Sequence, residues 1–340
     1  MKILILGPII NEKKSGGVAV FDEGLYHGFL ERGDEVKIIS DDKSKRINNI
    51  VVRSSFSFCK IAKSIQKEEP DLVICSLKYA LGIRAYKRKW KKATYVQVFH
   101  GFACPINGRF KAWLTNSSLR WAHKKFDHVV SVSQLTNAIN KKINLINSDK
   151  IITNGVDLEP FLQNVKKEYD FVYIGRLFKD KEIDLICDAF VGLKKIRPNL
   201  NFAVAGYGDE ERLFLPGGKY HNDCITFLGK LDSDGVKDLL SKSKFFISLN
   251  SLEPFGIVFT EAIVRGCNVI TQSSSGCASK FLKKPYFHAC DSLNSEELIQ
   301  FLENIHKEFV NISFDERKSI AQALSFKRCA DEYASLCERK

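Results

Sequence analysis

Two carboxylates stand eight positions apart near the predicted start of a helix in the second half of the chain. Residues 250–261 read NSLEPFGIVFTE and follow an apolar, strand-like run. Glu253 precedes the helix start, and Glu261 stands about one turn inside it. Backbone N–H groups at a helix start are unpaired and favour an anion. The residues that supply them here are Phe255, Gly256 and Ile257.

This arrangement predicts a site for a diphosphate with one carboxylate at each end of the ligand. A carboxylate accepts two hydroxyl hydrogens well, which suits a ribose diol or a sugar ring. Spacing alone leaves an alternative open: an ordinary strand–turn–helix in which Glu253 is solvated and Glu261 is packed.

Two cations follow another predicted strand, in the segment YIGRLFKDK over residues 173–181. Arg176 offers a planar fork of donors and Lys181 a point charge, and both suit phosphate. The alternative is that either cation simply lies at the surface.

Alternating strand and helix patterns predict the framework that positions these groups. The alternation runs through the first half, restarts at about residue 169, and favours two doubly wound α/β domains with parallel sheets. Such domains bind ligands at the carboxyl ends of their strands, here in a cleft between them. We predict domains over residues 1–165 and 166–325, with a last helix at about 326–340 that crosses back to the first domain.

The individual elements are predicted from apolar runs and from glycines at their ends. Gly33 stands where a glycine ends the first helix. The predicted strands are 2–6, 36–39, 72–75, 95–99, 128–132, 169–174, 202–205, 225–228, 245–249 and 268–270. The predicted helices include 18–31, 183–196, 234–241, 257–265 and 326–338.

Several short motifs occur in an order that resembles a known enzyme family. The pattern is similar to the retaining glycosyltransferases of family 4, whose fold is the two-domain, twin-Rossmann type called GT-B. The resemblance covers nearly the whole chain. In the second half it rests on Arg176, Lys181, Gly206-x-Gly208, Phe227-Leu-Gly229 and Glu253-x₇-Glu261. In the first half it rests on Ser15-Gly16-Gly17, His100-Gly101, Val130-Ser-Val-Ser133 and Asn154-Gly-Val-Asp157.

The resemblance implies a role for each matching residue of the second domain, which would hold a nucleotide-sugar donor. Arg176 and Lys181 would neutralise the diphosphate, and Glu261 would hold the ribose hydroxyls. Glu253, with the amides at the helix start, would hold the transferred sugar. Gly206 and Gly208 would also lie at the donor site.

The first domain would bind the acceptor and complete the site. His100 would contact the sugar from this side, and Gly16 and Gly17 would let the backbone approach the phosphates. The resemblance implies that the anomeric configuration is retained by attack on the leaving-group face, so no protein nucleophile is expected. Two cations and a helix start can stabilise the leaving diphosphate, so we expect no metal and no other cofactor.

Two positions depart from the family pattern. Glu182 stands where the family usually has glycine after the lysine, and it adds negative charge near the phosphate loop. The segment SGCASK over residues 275–280 lacks a glutamate that often occurs there, which weakens any donor contact assigned to it.

Charge is unequally divided between the two halves. Residues 1–165 hold 27 Lys and Arg against 15 Asp and Glu, whereas residues 166–340 hold 25 of each. The stretch 78–92 has seven cations, Trp90 and no acid, and residues 110–125 add Trp113 and Trp121. Basic residues among aromatics suit an anionic membrane surface. A solvated basic helix is the alternative, and no nucleic-acid motif accompanies the charge.

Composition and segment lengths suggest where the protein works. Ten cysteines without a C-x-x-C pattern indicate a reducing compartment, and no apolar run reaches the length of a membrane span. We expect a cytoplasmic enzyme on the inner face of the cell membrane.

The leading hypothesis is a bacterial-type transferase that moves a sugar from a UDP-, GDP- or ADP-sugar to a lipid-linked or cell-surface glycan, such as lipopolysaccharide, O-antigen or capsule. An enzyme with a soluble acceptor, or a nucleotide-sugar epimerase, keeps the same fold. A catalytically silent binding module is the alternative of another class.

Overall fold

The computed structural model describes residues 1–10, 16–43, 47–101, 109–157, 165–221, 224–250, 253–291 and 294–337, and only the backbone of Arg109 and Lys111. Residues 11–15, among them Ser15 of the Ser15-Gly16-Gly17 motif, and residues 158–164, next to the boundary predicted at residue 165, lie outside the described residues.

The chain separates into two compact units, residues 1–157 with 322–340 and residues 158–321. The first division falls before the boundary predicted at residue 165, and the second falls before the boundary predicted at 325. Each unit is built on one parallel sheet, as the alternating pattern predicted.

The first unit contains a seven-stranded sheet in the order β3-β2-β1-β4-β5-β6-β7. Every residue of β4 and β5 is buried, which is typical of parallel strands covered by helices on both faces. The elements up to residue 151 are β1 (Lys2–Leu6), α1 (Gly17–Glu31), β2 (Glu35–Ser40), β3 (Asn49–Val51), α2 (Phe58–Glu68), β4 (Leu72–Ser76), a 3₁₀ helix (Leu77–Gly82), α3 (Ile83–Lys89), β5 (Thr94–Phe99), α4 (Arg109–His123), β6 (His128–Ser131), α5 (Gln134–Asn144) and β7 (Lys150–Ile151).

The second unit contains a six-stranded sheet in the order β10-β9-β8-β11-β12-β13. Its core is rich in stacked phenylalanines, with the ring centroids of Phe190 and Phe202 4.5 Å apart. The elements are β8 (Tyr169–Arg176), a 3₁₀ turn (Lys179–Lys181), α6 (Ile183–Ile196), β9 (Phe202–Tyr207), a 3₁₀ helix (Asp209–Leu213), β10 (Ile225–Phe227), α7 (Ser233–Ser241), β11 (Ser243–Ser248), α8 (Ile257–Val264), β12 (Asn268–Thr271), α9 (Ala278–Phe281), β13 (Phe287–Ala289) and α10 (Ser295–His306).

Two helices follow, α11 (Phe314–Ala323) and α12 (Phe326–Ala334). Helix α12 packs on α1 so closely that a Cβ atom built on Gly24 would come within 2.1 Å of the Phe326 ring. A Cβ on Gly28, one turn further along α1, would come within 2.3 Å of the Phe326 carbonyl oxygen. The two glycines therefore form the surface that receives this last helix in the first unit.

The predicted strands and helices are confirmed to within a few residues at their ends. Gly33 has a φ of +82° just after α1, as predicted for a helix-ending glycine. The last helix ends at Ala334, earlier than predicted, and is followed by a turn. The part of the chain that the structure describes contains no helix long and apolar enough to cross a membrane.

Both sheets have a point at which the strand order reverses, between β1 and β4 in the first and between β8 and β11 in the second. The loops on either side of such a point diverge and leave a crevice at the carboxyl ends of the strands. The residues that follow these four strands are therefore the ones that can surround a ligand.

Candidate active site

The reversal in the second sheet brings two predicted site residues together. Strands β8 and β11 pair in parallel, with Phe171 opposite Phe245. The 3₁₀ turn with Lys181 follows β8, and the loop with Glu253 follows β11. The Lys181 Nζ atom lies 3.4 Å from the Glu253 Oε2 atom.

The Glu253 carboxylate makes both of these polar contacts through the same oxygen. The Asn250 Nδ2 atom donates to Oε2 at 2.9 Å, and Oε2 is also the atom that faces Lys181. The Glu253 side chain is 24% exposed and that of Lys181 is 13% exposed. The ion pair is thus partly shielded from water, and the second carboxylate oxygen carries neither of these two bonds.

The start of α8 lies directly after Glu253 and is shaped by Gly256. This glycine has a φ of +70°, and a Cβ atom there would come within 2.3 Å of the Phe259 ring and 3.0 Å of the Glu253 Cγ atom. Phe255 and Ile257 are buried on either side. Within the described part of the chain, the amides of residues 255–257 donate no hydrogen bond. A conformation that favours glycine therefore opens this helix, with three amides that have no acceptor among the described residues, as an anion site requires.

Arg176 ends β8 with an exposed side chain, whose guanidinium carbon lies 5.5 Å from the centre of the Phe178 ring. Its backbone is fixed because the Tyr173 hydroxyl donates to the Arg176 carbonyl oxygen at 2.9 Å. Among the described residues, the Arg176 guanidinium has no hydrogen bond or ion pair, whereas Lys181 pairs with Glu253.

Gly206 and Gly208 support the loop that follows β8. A Cβ atom on Gly206 would lie 1.9 Å from the Gly175 carbonyl oxygen, and one on Gly208 would lie 2.4 Å from that of Leu177. The Leu177 N–H in turn donates to the Tyr207 carbonyl at 2.9 Å. The two glycines are therefore required by the close approach of backbone to backbone, whatever else they contact.

Glu182 has a φ of +54°, a left-handed conformation that favours glycine. The family that this chain resembles usually has glycine at this position. Glu182 therefore keeps the backbone conformation of a glycine and differs from the family only in its side chain.

Glu261 is half-buried on α8, one turn after Ile257, as its spacing predicted.

In the first unit, His100 directly follows β5 and belongs to a buried polar network. Its Nε2 atom lies 2.9 Å from the Ser76 Oγ atom at the end of β4. Ser76 in turn donates to the Asp22 Oδ1 atom on α1 at 2.8 Å. Burial lowers the pKa of His100 to about 3, so its ring is neutral at physiological pH.

Gly16 caps α1 and Gly17 is its first residue, and no side chain of the described residues caps this helix start. A Cβ atom on either glycine would meet nothing within 4 Å. Packing within the described residues therefore does not require glycine at these two positions.

The aromatic and basic stretches of the first unit differ in exposure. Trp90 is half-buried, and its indole N–H donates to the Pro70 carbonyl at 2.9 Å. Helix α4 instead exposes large apolar side chains whose spacing places them on one face. These are Phe110 (74% exposed), Trp113 (58%), Leu114 (51%) and Trp121 (48%).

Comparison with known proteins identifies the family. A model described as Glycosyltransferase Family 4 matches residues 15–160, and one described as Glycosyl transferases group 1 matches residues 157–304. Consecutive matches therefore extend over most of both units. The chain is a glycosyltransferase of the GT4 kind.

Relatives and solved structures agree with this assignment. An uncharacterized glycosyltransferase of Methanocaldococcus jannaschii is 27% identical to this glycosyltransferase over 70% of the chain and 67% of its own length. The N-acetyl-alpha-D-glucosaminyl L-malate synthase of Bacillus anthracis is 23% identical over 94% of the chain and 93% of that enzyme. Anabaena HepE, solved in complex with UDP and glucose, has a TM-score of 0.75 at 15% identity over the whole of both chains. The last likeness establishes the GT-B fold of this glycosyltransferase.

Three residues of these clusters were not predicted from the sequence to lie at the site: Asp22, Ser76 and Asn250. Ser76 carried a usable signal, since it directly follows a predicted parallel strand. Asp22 carried another, since Ala19 and Leu25, three residues before and after it on α1, are apolar.

Proposed function

We propose that this glycosyltransferase moves a sugar from a nucleotide-sugar donor to an acceptor, with the donor bound by the second unit. The observation that carries the proposal is the ion pair of Lys181 with Glu253, directly before the free amides at the start of α8. One cation and a helix start suit a diphosphate, and an adjacent carboxylate suits sugar hydroxyls.

The chemistry follows from the charge of the leaving group. A nucleoside diphosphate gains negative charge as the bond to the sugar breaks, and fixed donors at that point stabilise the transition state. Lys181 and Arg176 supply this charge, so we propose a reaction that needs no metal. We propose separately, from the resemblance to family 4, that the anomeric configuration is retained. HepE binds UDP and UDP-glucose, which makes UDP-sugars the first donors to test.

The test is a panel of UDP-, GDP- and ADP-sugars and the free diphosphates, in the presence of a chelator. A ligand at 100 times its dissociation constant stabilises the fold by about 2.7 kcal/mol, which thermal unfolding detects readily. Donors that stabilise the protein are then assayed for nucleotide release with and without lipid extracts. Stabilisation by no nucleotide of the panel would overturn the proposal.

The same assay separates the alternative functions. Release that requires lipid extract supports a lipid-linked acceptor, and release with water-soluble extracts alone supports a soluble one. Interconversion of the donor sugar without release indicates an epimerase. Donor binding without any turnover indicates a silent binding module.

We propose further that the acceptor is a lipid-linked or cell-surface glycan reached at an anionic membrane. The exposed face of α4 supports this, since Phe110, Trp113, Leu114 and Trp121 could enter the headgroup region. Exposed cations on and after α3 would add electrostatic attraction. They are Arg84, Arg88, Lys89, Lys91 and Lys92.

Vesicle sedimentation tests this part of the proposal. We expect the protein to bind anionic vesicles and to be released as salt rises, because ions screen charges beyond about 8 Å at physiological strength. Replacing Arg88, Lys89, Lys91 and Lys92 by Gln should weaken binding at low salt, whereas Trp113→Ser with Trp121→Ser should weaken it at any salt. Lys141→Gln with Lys142→Gln on α5 is the control, and equal sedimentation of all four proteins would refute membrane contact.

A further inference from the structure

The polar network at the strand-order reversal of the first sheet joins three residues from separate parts of the chain. Ser76 ends β4, His100 follows β5, and Asp22 projects from α1. Asp22 and Ser76 are completely buried. The Asp22 Oδ2 atom has no hydrogen-bond partner among the described residues. A Cβ atom on Gly7 would come within 1.9 Å of it, so a larger residue there would displace the Asp22 carboxylate.

The order of donors and acceptors in this network is restricted by Ser76. A serine hydroxyl has one proton to donate, and here it donates to the Asp22 Oδ1 atom at 2.8 Å. Burial raises the pKa of Asp22, and a proton on this carboxyl belongs on Oδ2, because Oδ1 accepts from Ser76. The same oxygen lies 2.9 Å from His100 Nε2, so towards the ring it can only accept. A neutral imidazole carries its proton on one nitrogen, which must then be Nε2.

We propose that Asp22 and Ser76 act as positioning residues that hold His100 in the tautomer with its proton on Nε2. The ring therefore presents Nδ1 as a fixed hydrogen-bond acceptor. Within the described residues, Nδ1 has no partner. The Phe21 ring packs edge-on against the imidazole, with the centroids 4.7 Å apart, and limits its rotation.

A fixed acceptor at this position selects a hydroxyl group of the ligand. The family resemblance implies that His100 contacts the transferred sugar, and in that contact Nδ1 accepts a hydrogen bond from one sugar hydroxyl. The opposite tautomer would present an N–H group at Nδ1. The sugar hydroxyl would then have to accept that hydrogen through its oxygen instead of donating its own.

Nitrogen NMR on protein labelled with ¹⁵N-histidine tests the tautomer without any need for activity. The His100 signals are assigned by their loss in His100→Gln. We expect the ¹⁵N shift of a protonated nitrogen at Nε2 and that of an unprotonated one at Nδ1. A proton on Nδ1 in the wild-type protein would overturn the proposal, even if the enzyme transfers sugar as proposed.

Two variants test the positioning role. Asp22→Leu keeps a similar shape but removes the acceptor, and Ser76→Ala removes the link. Each should let the Nδ1–H tautomer become populated, whereas Ser131→Ala, a buried serine at the end of β6, should not. If the tautomer is unchanged in Ser76→Ala, the hydroxyl does not set it. If only the melting temperature falls, the network is structural and the proposal fails.

The kinetic effect should follow the tautomer. We expect Ser76→Ala to lower kcat/KM about tenfold, the effect of misdirecting one hydrogen bond. Ser131→Ala should stay near the wild-type value. If the wild-type protein binds no nucleotide, the proposed function fails. If the His100 tautomer is the same in Ser76→Ala as in the wild type, this inference fails. The two failures are therefore distinguishable.

Discussion

The two sheets place different kinds of polar group at equivalent points. At the reversal of the first sheet, Asp22, Ser76 and His100 are joined by short hydrogen bonds, and His100 is kept neutral by burial. At the reversal of the second sheet, Lys181 and Glu253 form an ion pair that water partly reaches. Buried polar groups need fixed partners, whereas half-exposed ions can exchange partners with a ligand. The first arrangement suits directional recognition and the second suits neutralisation of charge.

The largest effect should come from removing the cations of the second unit. We expect Arg176→Ala and Lys181→Ala each to lower kcat by about 10²-fold or more, the effect of removing one donor to a developing oxyanion. Lys179→Ala, in the same 3₁₀ turn, is the matched control because Lys179 is exposed. Steady-state kinetics with the best donor measures this. Near-normal turnover in either of the first two variants would remove that residue from the mechanism.

Substituting one glycine in each unit compares how strongly the two regions require glycine. Both Gly256 and Gly33 have positive φ, but only a Cβ on Gly256 meets other atoms. We expect Gly33→Ala to destabilise the first unit by about 1 kcal/mol and Gly256→Ala the second by about 3 kcal/mol, since crowding adds to conformational strain.

Separate signals can follow the two units in urea unfolding. Trp90, Trp113 and Trp121 are the three tryptophans of the chain and lie in the first unit, so their fluorescence reports Gly33→Ala. Circular dichroism reports Gly256→Ala. Equal losses in the two variants would mean that the α8 start tolerates a side chain.

The half-buried, desolvated His100 ring should make the stability of the first unit depend on pH. Its pKa is about 3 in the folded protein, against about 6.5 when unfolded, so between these values only the unfolded chain binds the proton. Stability should fall as pH is lowered from 7 to 5, by up to about 2 kcal/mol from this group.

The His100→Gln variant isolates that contribution. Burial raises the pKa of Asp22, which acts in the opposite direction, since stability from this group is lost as pH rises. Asp22 is present in both proteins, so the difference between their tryptophan-monitored unfolding curves reports His100. Parallel pH profiles would show that the ring is not desolvated.

The smallest effects should separate the two glutamates of the second unit. Glu253→Gln should lower kcat about tenfold, because a carboxylate near the anomeric carbon gains interaction as positive charge develops there. Glu261→Gln should mainly raise the donor KM, because the ribose does not change during the reaction. Calorimetric titration of free nucleoside diphosphate should show weaker binding to the Glu261 variant only. The reverse result would exchange the two roles.

The fold could be predicted from sequence because strand runs and helix-ending glycines are local signals. The short strands β3, β7 and β13 escaped prediction, since two or three residues are too few to show a period. Gly256 and Glu253 were found from a local motif. Asn250 and Ser76 were not, because their roles depend on atoms that only folding brings within 3 Å. Trp90 could not be told from the exposed Trp113 by spacing alone.

The docking of α12 on α1 has a consequence for the order in which the protein matures. During translation, domains generally fold as their residues emerge, the amino-terminal one first. Here the first unit receives its closing helix from residues 326–334, after the whole second unit has been synthesised. Until then the glycine surface of α1 at Gly24 and Gly28 lies uncovered on the nascent chain. All residues of the second unit are therefore synthesised before the first unit can receive this helix.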